Sequence, residues 1–350
     1  MNHHTENTNT QTYKQSGQLL EQADRIVIIP HRNPDGDAIG SALAAFKIFK
    51  NLGKKVKLIS PNNFPNFLKW LPGAGEVIVA SEEKEQAKLL IENAGLILMV
   101  DFNSLSRIKG LEDFVNQSKA KKILIDHHPD PKNFADIIIS DTSVSSTAEL
   151  LYEFFVKTRL DSFIDRDIAE CLYTGIVTDT GSFSYNSSRP ESFRIVAGLL
   201  SYSINKDKIH SHIYNNFSYK RMQLLGYCLH EKFVLIPEFN TGFISITQEE
   251  LKRFDFIPGD TEGFVNYPLS VKGIVFSALF IEKKDIVKLS FRSSGSFATN
   301  DFSREHFDGG GHRNASGGEC SLNMKDCLAR FKELLPLYAN ELKKTEIDGD

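Results

Sequence analysis

No apolar run in this sequence is long enough to cross a bilayer, and the opening MNHHTENTNTQTYKQ is polar where a secretory signal needs an apolar core. Those absences make the cytoplasm the expected location, and His3 and His4 read as incidental. Cysteine is scarce: Cys171, Cys228, Cys320 and Cys327 are scattered, with no CxxC pair. The spacing argues against a disulfide or zinc scaffold, so the four read as reduced core or boundary residues. A basic excess is missing too, with 45 acidic against 41 basic residues and a formal net charge of -4. Gripping long nucleic acid means neutralising many phosphates, which needs a basic excess or stripe. The balance still suits a short anionic ligand held by metals and a few convergent donors.

What is present is a chain of 350 residues, long enough for two domains with cores of their own. Its pattern is α/β. A helix is expected near residues 12–22, then the apolar run RIVIIP as a strand. DAIGSALAAFKIFKNLG repeats apolar residues at helical spacing and ends at Gly53. KVKLIS, LILMV and KKILI read as further strands, so the first half is expected to be a mostly parallel sheet flanked by helices. In such sheets the ligand crevice lies beyond the carboxyl ends of the strands. The expected domains are residues 1–200, a linker or crossing helix over 201–228, and a smaller α/β domain over 229–345. There GIVFSALFIEK and IVKLSFRSS read as adjacent strands, the glycine run as the start of a final helical region, and the charged tail KTEIDGD as frayed.

Acidic and imidazole groups follow the strands. HRNPDGDAIGS comes directly after RIVIIP and puts His31, Asp35 and Asp37 within seven residues. Two carboxylates one glycine apart raise each other's proton affinity, and a divalent metal is an economical remedy. An ordinary turn with Asp37 as a helix N-cap explains the same segment. Gly40, between small neighbours, would let the helix approach the sheet closely. Asp101 follows LILMV, and Asp126, His127 and His128 follow KKILI. In an irregular segment the two imidazoles point apart, so one can bind metal while the other faces substrate. Asp179, in TGIVTDTGSF, completes four aspartates plus His31 and His127, enough for two metals sharing a carboxylate.

Ser145, Ser146 and Thr147 open another helix, where hydroxyls and free N–H groups can steer an anion; plain N-capping explains them equally well. Arg292 follows VKLSF, and Gly309, Gly310, Gly311 and His312 precede RNASGG. Backbone amides of a glycine run can converge on an anion, with Arg292 and His312 as directed donors. The alternative is a surface loop. Asn314 fits the same pocket without a clear role.

HRNPDGDAIGS, VDFNS, DHHPD and TDTGS occur in the order seen in the DHH phosphoesterase family, and FRSSG with GGGHRNASGG resembles its DHHA1-type C-terminal domain. The chain most resembles the bifunctional oligoribonuclease and phosphoadenosine-phosphate phosphatase (nanoRNase) branch. The resemblance implies that His31 and Asp35 hold one metal, that Asp37, His127 and Asp179 hold the other, and that Asp101 bridges them. It implies Mn²⁺ as cofactor, with Mg²⁺ or Co²⁺ also compatible, Asp126 as the residue orienting the histidines, and His128 facing the phosphate. Arg292, His312 and the glycine amides would hold the substrate, a short oligoribonucleotide or 3'-phosphoadenosine 5'-phosphate. A homodimer is implied, and no membrane partner. Cleavage of cyclic or linear signalling dinucleotides is the main alternative; pyrophosphate hydrolysis and a non-catalytic nucleotide-binding regulator are weaker ones.

Overall fold

The computed structural model describes residues 3–344; the side chains of His3 and His4 and the tail from Thr345 lie outside the described residues. The chain divides into two compact units, residues 1–216 and 217–350. Among the described residues no helix is long and apolar enough to cross a membrane.

In the first unit the elements run α1 (His3–Gln22), β1 (Arg25–Pro30), α2 (Gly36–Asn51), β2 (Lys55–Ser60), β3 (Ile78–Val79), α3 (Lys84–Glu92), β4 (Leu96–Val100), α4 (Glu112–Gln117), β5 (Lys121–Asp126), β6 (Ile137–Ser140), α5 (Thr147–Lys157), α6 (Arg166–Asp179), α7 (Pro190–Leu200) and α8 (Lys206–Tyr214). The strands form one parallel sheet in the order β3-β2-β1-β4-β5-β6. Order reverses between β1 and β4, and that switch point is where such sheets open a crevice.

The central strands are largely apolar because both faces are covered, with Arg25, Lys55, Lys57 and Lys121 exposed toward the strand starts. Ile26 and Ile28 of β1 join the core under α2, α5 and α6, whereas Val27 and Ile29 join the opposite core with α3 and α4. Gly40 does not serve the sheet. A Cβ there would stand 2.6 Å from the Cys171 carbonyl oxygen, so its missing side chain lets α2 press on α6.

The second unit holds α9 (Tyr219–Tyr227), β7 (Phe233–Ile236), β8 (Thr241–Ile246), α10 (Gln248–Arg253), β9 (Phe276–Glu282), β10 (Val287–Ser293), α11 (Thr299–His306), β11 (Gly310–His312), β12 (Ala315–Cys320), α12 (Met324–Leu334) and α13 (Ala339–Lys344). Its mixed sheet runs β11-β12-β10-β9-β8-β7, with only β8 and β9 parallel. Phenylalanines fill its core: Phe276 meets Phe302 at 5.3 Å between centroids and 75°, an edge-to-face contact. The stretch 201–228 contains two helices, α8 and α9, with the division between the units falling between them. Gly310 and Gly311 of the glycine run belong to a strand, β11, and the final helices begin later, at Met324. Chain reversal into β12 keeps the run extended.

Candidate metal centre

β1 ends at Pro30, and the next residue, His31, is 4 % exposed. Its Nδ1 lies 2.8 Å from the Arg32 carbonyl oxygen; a carbonyl only accepts, so Nδ1 carries the proton. Nε2 then faces Asp101 Oδ2 at 3.5 Å and Asp35 Oδ2 at 3.8 Å. Asp35, not Asp37, caps α2: its Oδ1 accepts from the Asp37 and Ala38 amides at 3.1 Å. One carboxylate thus starts the helix with one oxygen and presents the other to His31.

Asp101 sits just past β4 with φ of +68°, a left-handed conformation that costs of order 1 kcal/mol or more in a residue other than glycine. The turn aims its two oxygens in different directions. Oδ2 faces His31, while Oδ1 lies 3.8 Å from His127 Nε2. His127 Nε2 also stands 3.8 Å from Asp37 Oδ2 and 3.5 Å from Asp179 Oδ2, the latter at the end of α6. The His127 and His128 rings diverge by 75°. His128 turns its Nδ1 to Asp126 Oδ1 at 2.7 Å, whereas the other Asp126 oxygen is buried without a hydrogen-bond partner.

The electrostatics follow from five aspartates in one place, of which Asp37, Asp101 and Asp126 are buried. Burial raises the Asp37 carboxyl well above the usual range, and Asp101, Asp179 and Asp35 add to the effect. Burial likewise takes Asp179 up to about 6; His127 opposes the shift, and Asp35 and Asp101 reinforce it. Burial disfavours charge on the His31 ring, yet the facing Asp101 and Asp35 carboxylates prevail and push its pKa up to about 10. Asp101 is held low despite its burial, by His31, His128 and His127. The site is short of positive charge.

Divalent cations fit that shortage. Hydrogen bonds need closer approach than the 3.5–3.8 Å that separates these histidine nitrogens from the carboxylate oxygens. Ligands about 2.0–2.2 Å from a shared ion stand roughly 3–4 Å apart. His31, Asp35 and Asp101 form one such group and Asp37, His127 and Asp179 another. Mixed carboxylate and imidazole donors suit first-row divalent ions.

Ser145, Ser146 and Thr147 make hydrogen bonds within the protein. All three are buried, and the anions that Ser145 and Thr147 hold are the protein's own carboxylates. Ser145 donates its amide and hydroxyl to Glu149, and Ser146 Oγ caps α5 by accepting from the Glu149 amide. Thr147 donates its hydroxyl to Asp101 Oδ1 at 2.8 Å and its amide to Asp37 Oδ2 at 2.7 Å, and the Ala148 amide reaches Asp37 Oδ1 at 2.9 Å. Sequence reading also missed Ser41, which donates to Asp37, and Arg189 and Ser192, which donate to Glu149. The S-x-x-E spacing of Ser146 and Glu149 announces a helix start. It carries no trace of the distant aspartates.

In the second unit, Arg292 and His312 both align with Ala315, from β10 and β11 on either side of β12, so one face of the sheet carries both. Gly309 and Gly311 are glycines that the packing requires. A Cβ on Gly309 would overlap Ser303 Oγ and the Gly317 carbonyl, one on Gly311 would stand 2.6 Å from the Ala315 carbonyl, and the Gly309 amide already donates to Ser303. Gly310 has open space where a Cβ would be. Asn314 is turned inward: its amide donates to Ser293 Oγ and to the Gly295 and Phe297 carbonyls, which ties the turn after β10.

Two family models match this chain: the DHH family N-terminal domain over residues 25–176 and the DHHA1 domain over residues 243–341. A probable bifunctional oligoribonuclease and PAP phosphatase of Streptococcus mutans is 29% identical over 300 residues, covering 85% of this chain and 90% of the relative. The bifunctional oligoribonuclease and PAP phosphatase of Bacillus subtilis is 26% identical, covering 84% and 88%. The crystal structure of an exopolyphosphatase-related protein from Bacteroides fragilis is 42% identical, with a TM-score of 0.91, covering 95% of this chain and 97% of that one. With both domains matched in order and the aspartates and histidines gathered at the switch point of its sheet, the chain belongs to the DHH family and is a metal-dependent hydrolase of phosphoesters.

Proposed function

We propose that this enzyme hydrolyses short oligoribonucleotides and 3'-phosphoadenosine 5'-phosphate with two Mn²⁺ ions. The observation that carries the reading is the pair of donor groups, His31, Asp35 and Asp101 in one and Asp37, His127 and Asp179 in the other, with Asp101 Oδ1 3.8 Å from His127 Nε2 and a histidine held by a buried aspartate alongside. His31 and Asp35 would hold one ion, Asp37, His127 and Asp179 the other, and Asp101 both. Bound divalent ions supply Lewis acidity toward phosphoryl oxygens and make water acidic enough to attack at neutral pH. The side chains do the rest. Asp126 accepts a hydrogen bond from His128 Nδ1, so Nε2 is the ring atom that would serve a phosphoryl oxygen or the departing sugar oxygen. No side-chain nucleophile is required, and water is the proposed nucleophile.

On the second unit, Arg292 and His312 are the proposed donors to the substrate's phosphate or nucleotide, because they share one sheet face. A guanidinium grips phosphate through two parallel N–H bonds, which favours a terminal phosphate over a featureless anion. We further assign the enzyme a homodimeric state, as the resemblance implies.

The relative from Bacteroides fragilis gives inorganic polyphosphate a place in the test. Product-resolved assays with Mn²⁺ should compare di- to pentaribonucleotides, 3'-phosphoadenosine 5'-phosphate, linear and cyclic dinucleotides, pyrophosphate and polyphosphate. Mononucleotides from the short RNAs, and AMP with phosphate from the phosphonucleotide, are expected. Faster turnover of pyrophosphate or polyphosphate than of every nucleotide overturns the substrate assignment.

A further inference from the structure

We infer that Thr147 is a positioning residue that assigns the two oxygens of Asp101 to two separate metal sites. The inference rests on the metal-dependent reading above. Asp101 can bridge two ions only if each oxygen keeps to its own side, and a free carboxylate rotates about its terminal bond with little restraint. Here the rotation is stopped from one side. The Thr147 hydroxyl donates to Oδ1 at 2.8 Å, which leaves Oδ2 toward His31 and Oδ1 toward His127. Thr147 is buried, so water does not replace the hydroxyl at no cost.

The same residue fixes the neighbouring ligand. Its amide and that of Ala148, the first two of α5, hold both oxygens of Asp37 at 2.7 and 2.9 Å. Those amides have no partner within the helix and lie at its positive end, so they moderate the repulsion between Asp37 and Asp101. Capping by Ser146, and the Glu149 carboxylate bound by Ser145, Arg189 and Ser192, keep this turn from shifting. Ligands from β1's loop and from β4 are therefore set against each other through one threonine.

The test is calorimetric titration of the metal-stripped full chain with Mn²⁺, for the native protein, Thr147→Val and Thr147→Ser. Removing a residue that orients metal ligands typically weakens metal binding by about 10–100-fold. Thr147→Val should show that loss in at least one of two sites, and kcat should fall with KM little changed. Thr147→Ser keeps the hydroxyl and should bind within about threefold of the native chain. Native affinity and stoichiometry in a folded Thr147→Val overturns the inference, as does Thr147→Ser binding no better than Thr147→Val. If the valine variant does not fold, Thr147→Ala against Thr147→Ser makes the same comparison. A native chain that binds no Mn²⁺ overturns the metal-dependent reading itself, and that result is distinct from two native sites that ignore the substitution.

Discussion

Asp126 holds His128: the carboxylate accepts from Nδ1 at 2.7 Å and, being wholly buried, cannot exchange that bond for one to solvent. The bond fixes the tautomer and leaves Nε2 as the working nitrogen. His128→Ala should lower kcat by roughly 10²–10⁴-fold, the range for a lost general acid or base. Asp126→Asn should cost less, about 10–100-fold, because an amide still accepts a hydrogen bond but no longer favours a charged ring. Both proteins should keep their metal, measurable by elemental analysis. Metal loss in His128→Ala would mean that His128 is a ligand.

Chelation should do more than stop turnover. With Asp37 and Asp101 buried in one cluster, the protein without cations bears a repulsion that the α5 amides and the histidines only moderate. A ligand at 100 times its dissociation constant stabilises by about 2.7 kcal/mol per site. Thermal melts of the EDTA-treated protein should therefore shift upward as Mn²⁺ is added, and activity should return in parallel. An unchanged melting temperature across the titration speaks against these carboxylates as the binding site.

Stability of the second unit should respond to Glu250. Burial raises its carboxyl, but Lys232, the Thr247 amide and Tyr227 override that and hold it at about 2. A depressed folded-state pKa stabilises fully above the unfolded value, near 4.3, and the contribution disappears as pH falls through the folded value. Glu250→Gln should cost about 1 kcal/mol at pH 7 after solvent screening, and the gap from native should close between about pH 4.5 and 2. Urea unfolding across that pH window measures it.

Gly40→Ala sets two effects against each other. Alanine in a helix interior is favoured over glycine by about 0.8–1.0 kcal/mol. At Gly40 the new methyl would lie 2.6 Å from the Cys171 carbonyl oxygen and 3.0 Å from the Gly175 amide nitrogen, both backbone atoms. Overpacking of about 1–3 kcal/mol should win. The variant should unfold at lower denaturant, and a stabilised variant would show that α2 and α6 have slack between them.

Much of the site was legible because its residues follow strands. RIVIIP, LILMV and KKILI are recognisable as buried strands from their apolar runs, and a parallel sheet aligns their carboxyl ends, so His31, Asp101 and Asp126 share one rim. The runs without that signal were harder. Strand β11 is two glycines and a histidine with no apolar alternation, and it became a strand only because β12 lies close enough to pair with it.

By itself, the sequence determined which residues could carry chemistry and in which order along an α/β chain they occur, since ligand type and strand patterning are local properties. Tertiary structure alone decided which oxygen of Asp101 faces which histidine, and that Thr147 holds Asp101 and Asp37 across separations of 46 and 110 residues. Hydrogen bonds of that span depend on how α5 is seated against β1 and β4. No local pattern encodes the seating, because the same capped helix start would read identically with solvent, substrate or another carboxylate in front of it.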